Sequence, residues 1–260
     1  MTFVVERCDE RLVKSNERVR DLGEVFTPNA TVQEMLDLLP ETIWAPHPSP
    51  TFFEPACGDG NFLVAILDRK LDHIADEQAL ERLPAGTDAV AAQFHALEAL
   101  ASIYAVDIST DNIIGGTSGH ELGARARLLS MFSEWNAAVL GKRLSEKSLA
   151  HRAAGWIVEH NLIVGNMLPF DVRGRPTGRD QIPLIEYDWQ PESLSVSVSK
   201  TTLSAVIALE VERSATMLSL FPPAQPEQFW RGKAVNLADA ARVEAPELRG
   251  PARNGTKRRK

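Results

Sequence analysis

Cysteine is scarce in this chain: Cys8 and Cys57 are the only two among its 260 residues. They lie far apart and form no Cys-x-x-Cys pair, so the sequence supports neither a disulfide framework nor a zinc ribbon. The six histidines are also scattered, and no two have the helical spacing of metal ligands. We therefore expect no metal site, and a reducing compartment, the cytoplasm, as the location.

Long apolar runs and an excess of positive charge are also missing. No stretch approaches the ~20 apolar residues that cross a bilayer, and the N-terminus lacks the apolar core of a signal peptide. The chain has 28 Lys and Arg against 35 Asp and Glu, for a formal net charge of -7. These features predict a soluble protein with no membrane partner, and they exclude one that coats nucleic acid with its whole surface.

The most informative stretch runs from Phe52 to Leu63, with the sequence FFEPACGDGNFL. A short apolar run leads into a glycine-hinged turn and then into an apolar-periodic helix. Gly58 and Gly60 lack a Cβ atom, so the backbone there can adopt positive φ and approach a ligand closely. The helix offers unpaired amide groups at its start, and Glu54 lies at the carboxyl end of the strand, where open α/β sheets bind ligands.

This loop resembles motif I of the class I S-adenosylmethionine-dependent methyltransferases. It lacks the Gly-Lys-Ser/Thr ending of a P-loop and the Gly-x-Gly-x-x-Gly of dinucleotide-binding folds. It is similar, more narrowly, to the Glu-Pro-Ala-Cys-Gly-x-Gly form of the N6-adenine DNA methyltransferases of restriction-modification systems. The resemblance implies S-adenosylmethionine as cofactor and DNA as partner. It also implies that the cofactor contacts Glu54, Pro55, Ala56, Cys57, Gly58 and Gly60. A turn whose glycines serve folding alone is the alternative.

A second segment, Gly23-Glu24-Val25-Phe26-Thr27-Pro28, resembles motif X of the same family. In this subgroup motif X precedes motif I and forms the far wall of the cofactor site. The resemblance implies that Phe26 covers the cofactor and that Thr27 and Pro28 belong to the site. Thr27 has a hydroxyl and a backbone donor for a carboxylate, and Pro28 can begin a helix without losing a needed amide donor. An ordinary helix cap is the alternative.

Two further strand ends complete the expected site. Asp107 lies near the end of the buried-strand pattern 102–108, and a carboxylate there can accept from both ribose hydroxyls. Residues 161–168 resemble motif III, although the family more often has Asp where this chain has Asn166. Asn166 would bind the adenine edge, and Met167 or Leu168 would pack on the adenine face. A solvated Asp107 and a turn-forming Asn166 are the alternatives.

The order of strand and helix patterns predicts an α/β fold with a doubly wound, mostly parallel sheet, as in the Rossmann-like core of class I methyltransferases. Residues 1–50 are expected to form a helical lead-in, with a leading helix within 1–22 and a second helix that ends at Leu39. Residues 51–221 are expected to form the core that binds S-adenosylmethionine. The Pro-, Ala- and charge-rich residues 222–260 are expected to form a flexible tail.

Local patterns give more detailed expectations. Asn29 or Thr31 is expected to cap the second helix of the lead-in. An additional helix is expected within residues 72–100, which are polar and rich in alanine. The third strand is expected in either 156–158 or 161–165, because both stretches are apolar and β-branched.

The catalytic motif of the family is not found in the sequence. N6-adenine transfer uses an Asn/Asp-Pro-Pro-aromatic tetrapeptide, whose carbonyl oxygens accept from the adenine amine while its ring stacks on a flipped base. The only adjacent prolines lie in Phe221-Pro222-Pro223-Ala224, where neither Phe nor Ala can do this. The catalytic residues are therefore unknown, and the resemblance covers roughly residues 20 to 190 before it fades.

Several interpretations stay open. The chain is a truncated or split methyltransferase completed by a second polypeptide, a non-catalytic relative that binds S-adenosylmethionine and a partner, or an active enzyme with a divergent catalytic loop. An acceptor other than DNA is a further alternative, because the cofactor loop does not specify what is methylated.

Overall fold

A computed structural model describes residues 12–76, 89–116, 122–141, 143–208, 230–231 and 235–236. Its helices are α1 (Asn16–Leu22), α2 (Asn29–Leu36), α3 (Asn61–Ala75), α4 (Ala89–Ala101), α5 (Thr110–Ile113), α6 (Ala124–Val139), α7 (Leu149–Asn161) and α8 (203–208). Its strands are β1 (Phe52–Glu54), β2 (Ile103–Asp107), β3 (Leu162–Val164), β4 (Pro183–Gln190), β5 (Ser195–Thr202), β6 (Trp230–Arg231) and β7 (Val235–Asn236).

The first three strands form a parallel sheet in the order β1-β2-β3. Glu54 at the end of β1 pairs with Ala105, and Asp107 at the end of β2 pairs with Val164. Because the strands are parallel, their carboxyl ends lie at the same edge of the sheet. The predicted α/β class and the parallel pairing of these strands are therefore confirmed.

Helices cover one face of this sheet. Side chains alternate between faces along a strand, and Ile103, Ala105 and Leu162 belong to the main buried cluster, which α3, α4, α6 and α7 share. Val106 and Ile163 belong to a second, smaller cluster. Strands added in one direction with right-handed crossovers carry their helices on the same face. A doubly wound sheet adds a second helical layer after the strand order reverses. In the described residues, the short α8 is the helix that meets the second face, through Leu203.

A long antiparallel hairpin, β4 with β5, follows the parallel sheet. Its ends meet the second face, where Ile182 and Leu203 pack against Val106. Farther along β4, the Tyr187 hydroxyl donates to Asn161 Oδ1 at 2.9 Å. The short strands β6 and β7 both pair with β5. They fall within the predicted tail, of which the remaining residues lie outside the described part of the chain.

The lead-in differs from the prediction in its helix ends. α1 begins after Ser15, whose side chain accepts from the Arg18 amide, and residues 1–11 lie outside the described part. The N-cap of α2 is Pro28, with no side-chain cap, so the prediction that Asn29 or Thr31 caps this helix is wrong. The helix also ends at Leu36 rather than Leu39, although Leu38 and Leu39 are apolar, because Pro40 disfavours helical backbone in the residue before it.

The structure confirms two other segment predictions and narrows their bounds. Residues 156–158 belong to α7, and the third strand follows at Leu162–Val164, within the alternative stretch 161–165. Of the helix expected in 72–100, the structure gives α3 as far as Ala75 and α4 from Ala89, while 77–88 lie outside the described residues. In the described part of the chain, no helix has both the length and the apolar character needed to cross a bilayer.

Candidate functional site

The loop after β1 has the conformation that its glycines predict. Gly58 has φ of 56° and Gly60 has φ of 96°, both in the left-handed region that glycine favours. The Cys57 amide donates to Val106 O at 3.1 Å, and the Gly60 amide donates to Cys57 O at 3.0 Å. These bonds fold the loop over the end of β2 and start α3 at Asn61.

Phe26 lies directly against Gly58. A Cβ atom at Gly58 would lie 2.8 Å from Phe26 Cε1 and 2.9 Å from Phe26 Cδ1. The Phe26 side chain is buried, with 7% of its residue surface exposed. The structure thus brings together the two motifs predicted to form one site. The contact also explains, without any ligand, why this position has no Cβ atom: the Phe26 ring occupies the space that a Cβ atom would need.

Asp107 is buried beneath the same loop, with 8% of its surface exposed. Its Oδ2 accepts from the Gly58 amide at 2.9 Å, and its Oδ1 accepts from the Ser109 amide at 2.8 Å and from Asn112 Nδ2 at 3.0 Å. A carboxylate has about four lone-pair positions. Three of them are used, so Asp107 has room for one ribose hydroxyl. The predicted bond to both hydroxyls would displace an existing donor.

A polar network holds the segment 12–28, which we call the arm, next to Asp107. Arg18 Nε donates to Glu24 Oε1 at 2.7 Å, and Arg18 Nη1 lies 3.0 Å from Asp111 Oδ2. Asn112 Nδ2 donates both to Glu24 Oε2 and to Asp107 Oδ1, each at 3.0 Å. Burial acts to raise the pKa of Glu24, but the bonds from Arg18 and Asn112 outweigh it and lower this pKa. The arm thus docks through charged groups.

Asn61 connects the arm to the glycine loop from the other side. Its Nδ2 donates to Thr27 O at 3.1 Å, and its Oδ1 accepts from Arg127 Nη2 at 3.0 Å. Arg127 Nη1 also donates to Asp59 O at 2.9 Å. The site residues that the sequence predicts include neither Arg18 of the arm, nor Asn112 on α5, nor Asn61 and Arg127. Only Asn61 had a signal in the sequence, its position at the start of α3.

The remaining residues predicted from the loop after β1 form its rim. Glu54 is half-buried, and its Oε1 accepts from the Ala56 amide at 3.3 Å. Pro55 and Ala56 are exposed. Cys57 is buried in the main core, and burial raises the pKa of its thiol, so the protonated form is maintained. Cys57 therefore packs in the core, while Glu54 places a half-buried carboxyl group at the rim.

On the β3 side, Asn166 forms a turn. Its Oδ1 accepts from the Leu168 amide at 2.9 Å, which is the turn-forming alternative considered for this residue. Met167 packs against the small cluster of Val106 and Ile182 on the second face of the sheet. Ile108, directly after Asp107, leaves an apolar side chain exposed near the same edge. Ile108 is not among the site residues that the sequence predicts.

A separate cluster lies at the opposite, amino-terminal ends of the strands. It consists of His47, His95 and Glu98, whose potential ligand atoms all lie within 4.8 Å of one another. A search for two histidines at the spacing of metal ligands does not find this cluster. The signal in the sequence is instead the pair His95 and Glu98, which are one helical turn apart on α4. This cluster is therefore a candidate exception to the expectation that the chain has no metal site.

Comparison of the chain with protein-family models, with curated proteins and with solved structures finds no match. A function for the chain is therefore inferred from its motifs and from the geometry just described.

Proposed function

We propose that this chain binds S-adenosylmethionine and forms the cofactor-binding half of a DNA adenine methyltransferase. One observation carries the proposal: the motif X-like segment, the motif I-like loop and the acid after β2 lie in direct contact. Phe26 touches Gly58, and Gly58 donates to Asp107. These residues are separated by tens of positions in the sequence. They meet at the carboxyl edge of a parallel sheet, which is the edge at which α/β folds bind nucleotides.

The groups around this edge suit the cofactor. Asp107 has acceptor capacity for one ribose hydroxyl, and Ile108 offers an apolar surface for an adenine ring. The N-terminus of α2 after Thr27 and Pro28 has no side-chain cap, so its amide groups suit a carboxylate. Glu54 suits the positive charge of the methionine part. Bound there, the cofactor would supply an activated methyl group on its sulfonium.

The sheet order supports a half rather than a whole enzyme. A doubly wound fold has two β-α-β-α-β halves with the strand order 3-2-1-4-5-6, and its ligand lies where the order reverses, beside strand 1. The described strands have the order of the 3-2-1 half, and α3, α4, α6 and α7 share the buried cluster on one face of it. The family's catalytic tetrapeptide is also missing from the sequence. We therefore assign the catalytic and target-reading parts to a second polypeptide, and the partner of the assembled enzyme to DNA.

Calorimetric titration with S-adenosylmethionine tests this proposal. The wild-type chain is expected to bind one equivalent. Glu54→Gln keeps an oxygen for the Ala56 amide but removes the charge. A bond to a charged group is worth about 1.5 to 3 kcal/mol, so this variant should bind about ten- to a hundredfold more weakly.

Glu41→Gln is the matched control, because the Glu41 side chain is exposed and contacts the loop nowhere in the described residues. Its affinity should equal that of the wild type. Lack of binding by the wild-type chain would contradict the proposal. Equal affinities for the wild type and Glu54→Gln would contradict the placement of the cofactor beside Glu54.

A further inference from the structure

His47, His95 and Glu98 have the composition and spacing of a transition-metal site. The Nδ1 atom of His47 lies 2.8 Å from Glu98 Oε1, and the Nδ1 atom of His95 lies 3.4 Å from Glu98 Oε2. Ligand atoms at zinc–nitrogen or zinc–oxygen distances in a tetrahedral site are roughly 3.3 Å apart. The two measured separations bracket that value, so small side-chain movements would close the set around one ion.

His95 has a buried imidazole without hydrogen bonds. Only 1% of its surface is exposed, and neither ring nitrogen has a hydrogen-bond partner among the described residues. A buried polar group left unsatisfied costs about 1 to 3 kcal/mol. Such a group calls for an explanation, of which a bound ion is one. Coordination would give a ring nitrogen of His95 the partner that the protein does not supply.

The charges around the cluster decide which ion fits. Glu98 is buried, with 4% of its surface exposed, and its Oε1 also accepts from the Ser49 amide at 3.1 Å. The nearby Lys70 ammonium donates to Ser49 Oγ at 2.7 Å and to Pro50 O at 2.8 Å. With one carboxylate and a cation close by, the site suits neither Mg²⁺ nor Ca²⁺, which need several oxygen ligands. Two imidazoles favour zinc, copper or nickel.

The cluster is open on one side. A cleft of about 240 Å³ is lined by His47, Glu98, Tyr104, Asp188 and Trp189, among others. The side chain of His47 is 35% exposed, which provides an entry path for an ion. Two imidazoles and a glutamate with an open fourth position form one of the ligand sets of zinc sites that keep a bound water.

We propose that His47, His95 and Glu98 bind one divalent ion of the zinc class, with water from the cleft as the fourth ligand. The ion would join the segment before β1 to α4, and it would stabilise the folded chain because the unfolded chain has no such site. The cluster lies at the amino-terminal ends of the strands, whereas the glycine loop lies at the carboxyl ends. The proposal is therefore independent of S-adenosylmethionine binding.

Cobalt titration of the untagged, metal-free chain tests the proposal, because tetrahedral Co²⁺ absorbs visible light and a histidine tag would bind it too. We expect one Co²⁺ per chain, displacement by Zn²⁺, and a higher melting temperature with either ion. His47→Gln, a change at the partly exposed ligand, should weaken Co²⁺ binding by about tenfold or more.

His73→Gln is the control, because His73 lies beside Glu41 in a different cleft. It should bind Co²⁺ as the wild type does. The proposal is overturned if the wild-type chain binds no stoichiometric Co²⁺, a result that does not depend on any variant folding. It is also overturned if His47→Gln binds as tightly as the wild type, or if His73→Gln loses binding to the same extent.

Discussion

At the scale of single residues, the clearest case is the glycine that contacts Phe26. Gly58→Ala places a methyl group within 3 Å of a buried ring and also puts alanine at φ of 56°. Gly141 has a similar φ of 63°, but a Cβ atom there meets no atom of the described residues within 4 Å. Each substitution should lower the free energy of unfolding by about 1 kcal/mol, because alanine disfavours positive φ. Gly58→Ala should lower it by about 1 to 3 kcal/mol more, because its methyl group overlaps the Phe26 ring. Urea unfolding of the two variants measures the difference.

The ring contact can be isolated with a double substitution. In a Phe26→Ala background, Gly58→Ala should cost only as much as Gly141→Ala, because the atoms it would overlap are gone. An unchanged cost would mean that Phe26 does not constrain Gly58. This contact also means that a large side chain at Gly58 is not a clean probe of cofactor binding, since it displaces Phe26 before any ligand is involved.

Asp68 on α3 provides a prediction about pH. Burial, and secondarily the charge of Asp72, raise the pKa of Asp68 from 3.8 to about 6. A carboxyl group with a raised pKa in the folded state stabilises the fold below its unfolded pKa, and this contribution is lost as the pH rises through about 6. Asp68→Asn removes the charge. It should therefore be more stable than the wild type by about 1 to 3 kcal/mol at neutral pH, with little difference near pH 4.

Chemical denaturation at the two pH values checks this prediction. Glu134→Gln, an exposed position on α6, is the control and should change stability by less than about 0.5 kcal/mol at either pH. A stabilisation by Asp68→Asn that persists unchanged at the acidic pH would show that charge is not its cause.

At the scale of elements, the arm depends on Arg18. This guanidinium bonds to both Glu24 and Asp111, whereas Arg20 pairs, among the described residues, only with the exposed neighbouring Asp21. Arg18→Ala leaves the mostly buried Glu24 carboxylate without its main partner, at a cost of about 1 to 3 kcal/mol. Arg20→Ala should cost less than about 0.5 kcal/mol.

Hydrogen exchange at the Phe26 amide is the sharpest measurement, because this amide donates to Leu12 O at 2.8 Å within the arm. Arg18→Ala should exchange faster there, while Arg20→Ala should match the wild type. Equal protection in all three proteins would mean that packing of Phe26 alone holds the arm.

Elements were predictable where one local signal dominated. β1, β2 and α3 follow from apolar patterns interrupted by glycine, and the structure places them close to the predicted positions. The third strand was ambiguous because 156–158 and 161–165 have the same apolar, β-branched character. Helix periodicity and packing against α4 decided in favour of α7 for the first of them. The prediction that Asn29 or Thr31 caps α2 is wrong because Pro28, which comes first in the chain, is the N-cap residue of this helix.

At the scale of the whole molecule, the meeting of Phe26, Gly58 and Asp107 was predictable from motif order alone. The polar arm network and the cluster of His47 with His95 were not, because each joins groups that are distant in sequence and carry no recurring pattern. The occupation of Asp107 by protein donors was equally invisible in the sequence. Such contacts depend on tertiary placement, which local propensity does not encode.

The three-stranded parallel sheet and the missing tetrapeptide lead to a prediction about activity. Methyl transfer needs the acceptor amine held in line with the sulfonium. The chain has the sheet edge at which we propose that the cofactor binds, but its sequence contains no Asn/Asp-Pro-Pro-aromatic segment. We therefore expect the chain alone to bind S-adenosylmethionine without transferring labelled methyl groups to DNA.

A polypeptide that carries this tetrapeptide, encoded beside the chain and purified with it, should restore transfer. Glu54→Gln should reduce the restored rate at limiting cofactor, whereas Glu41→Gln should not. Transfer by the chain alone would replace the split enzyme with a divergent catalytic loop. Cofactor binding with no transfer in any combination would leave a non-catalytic binding protein.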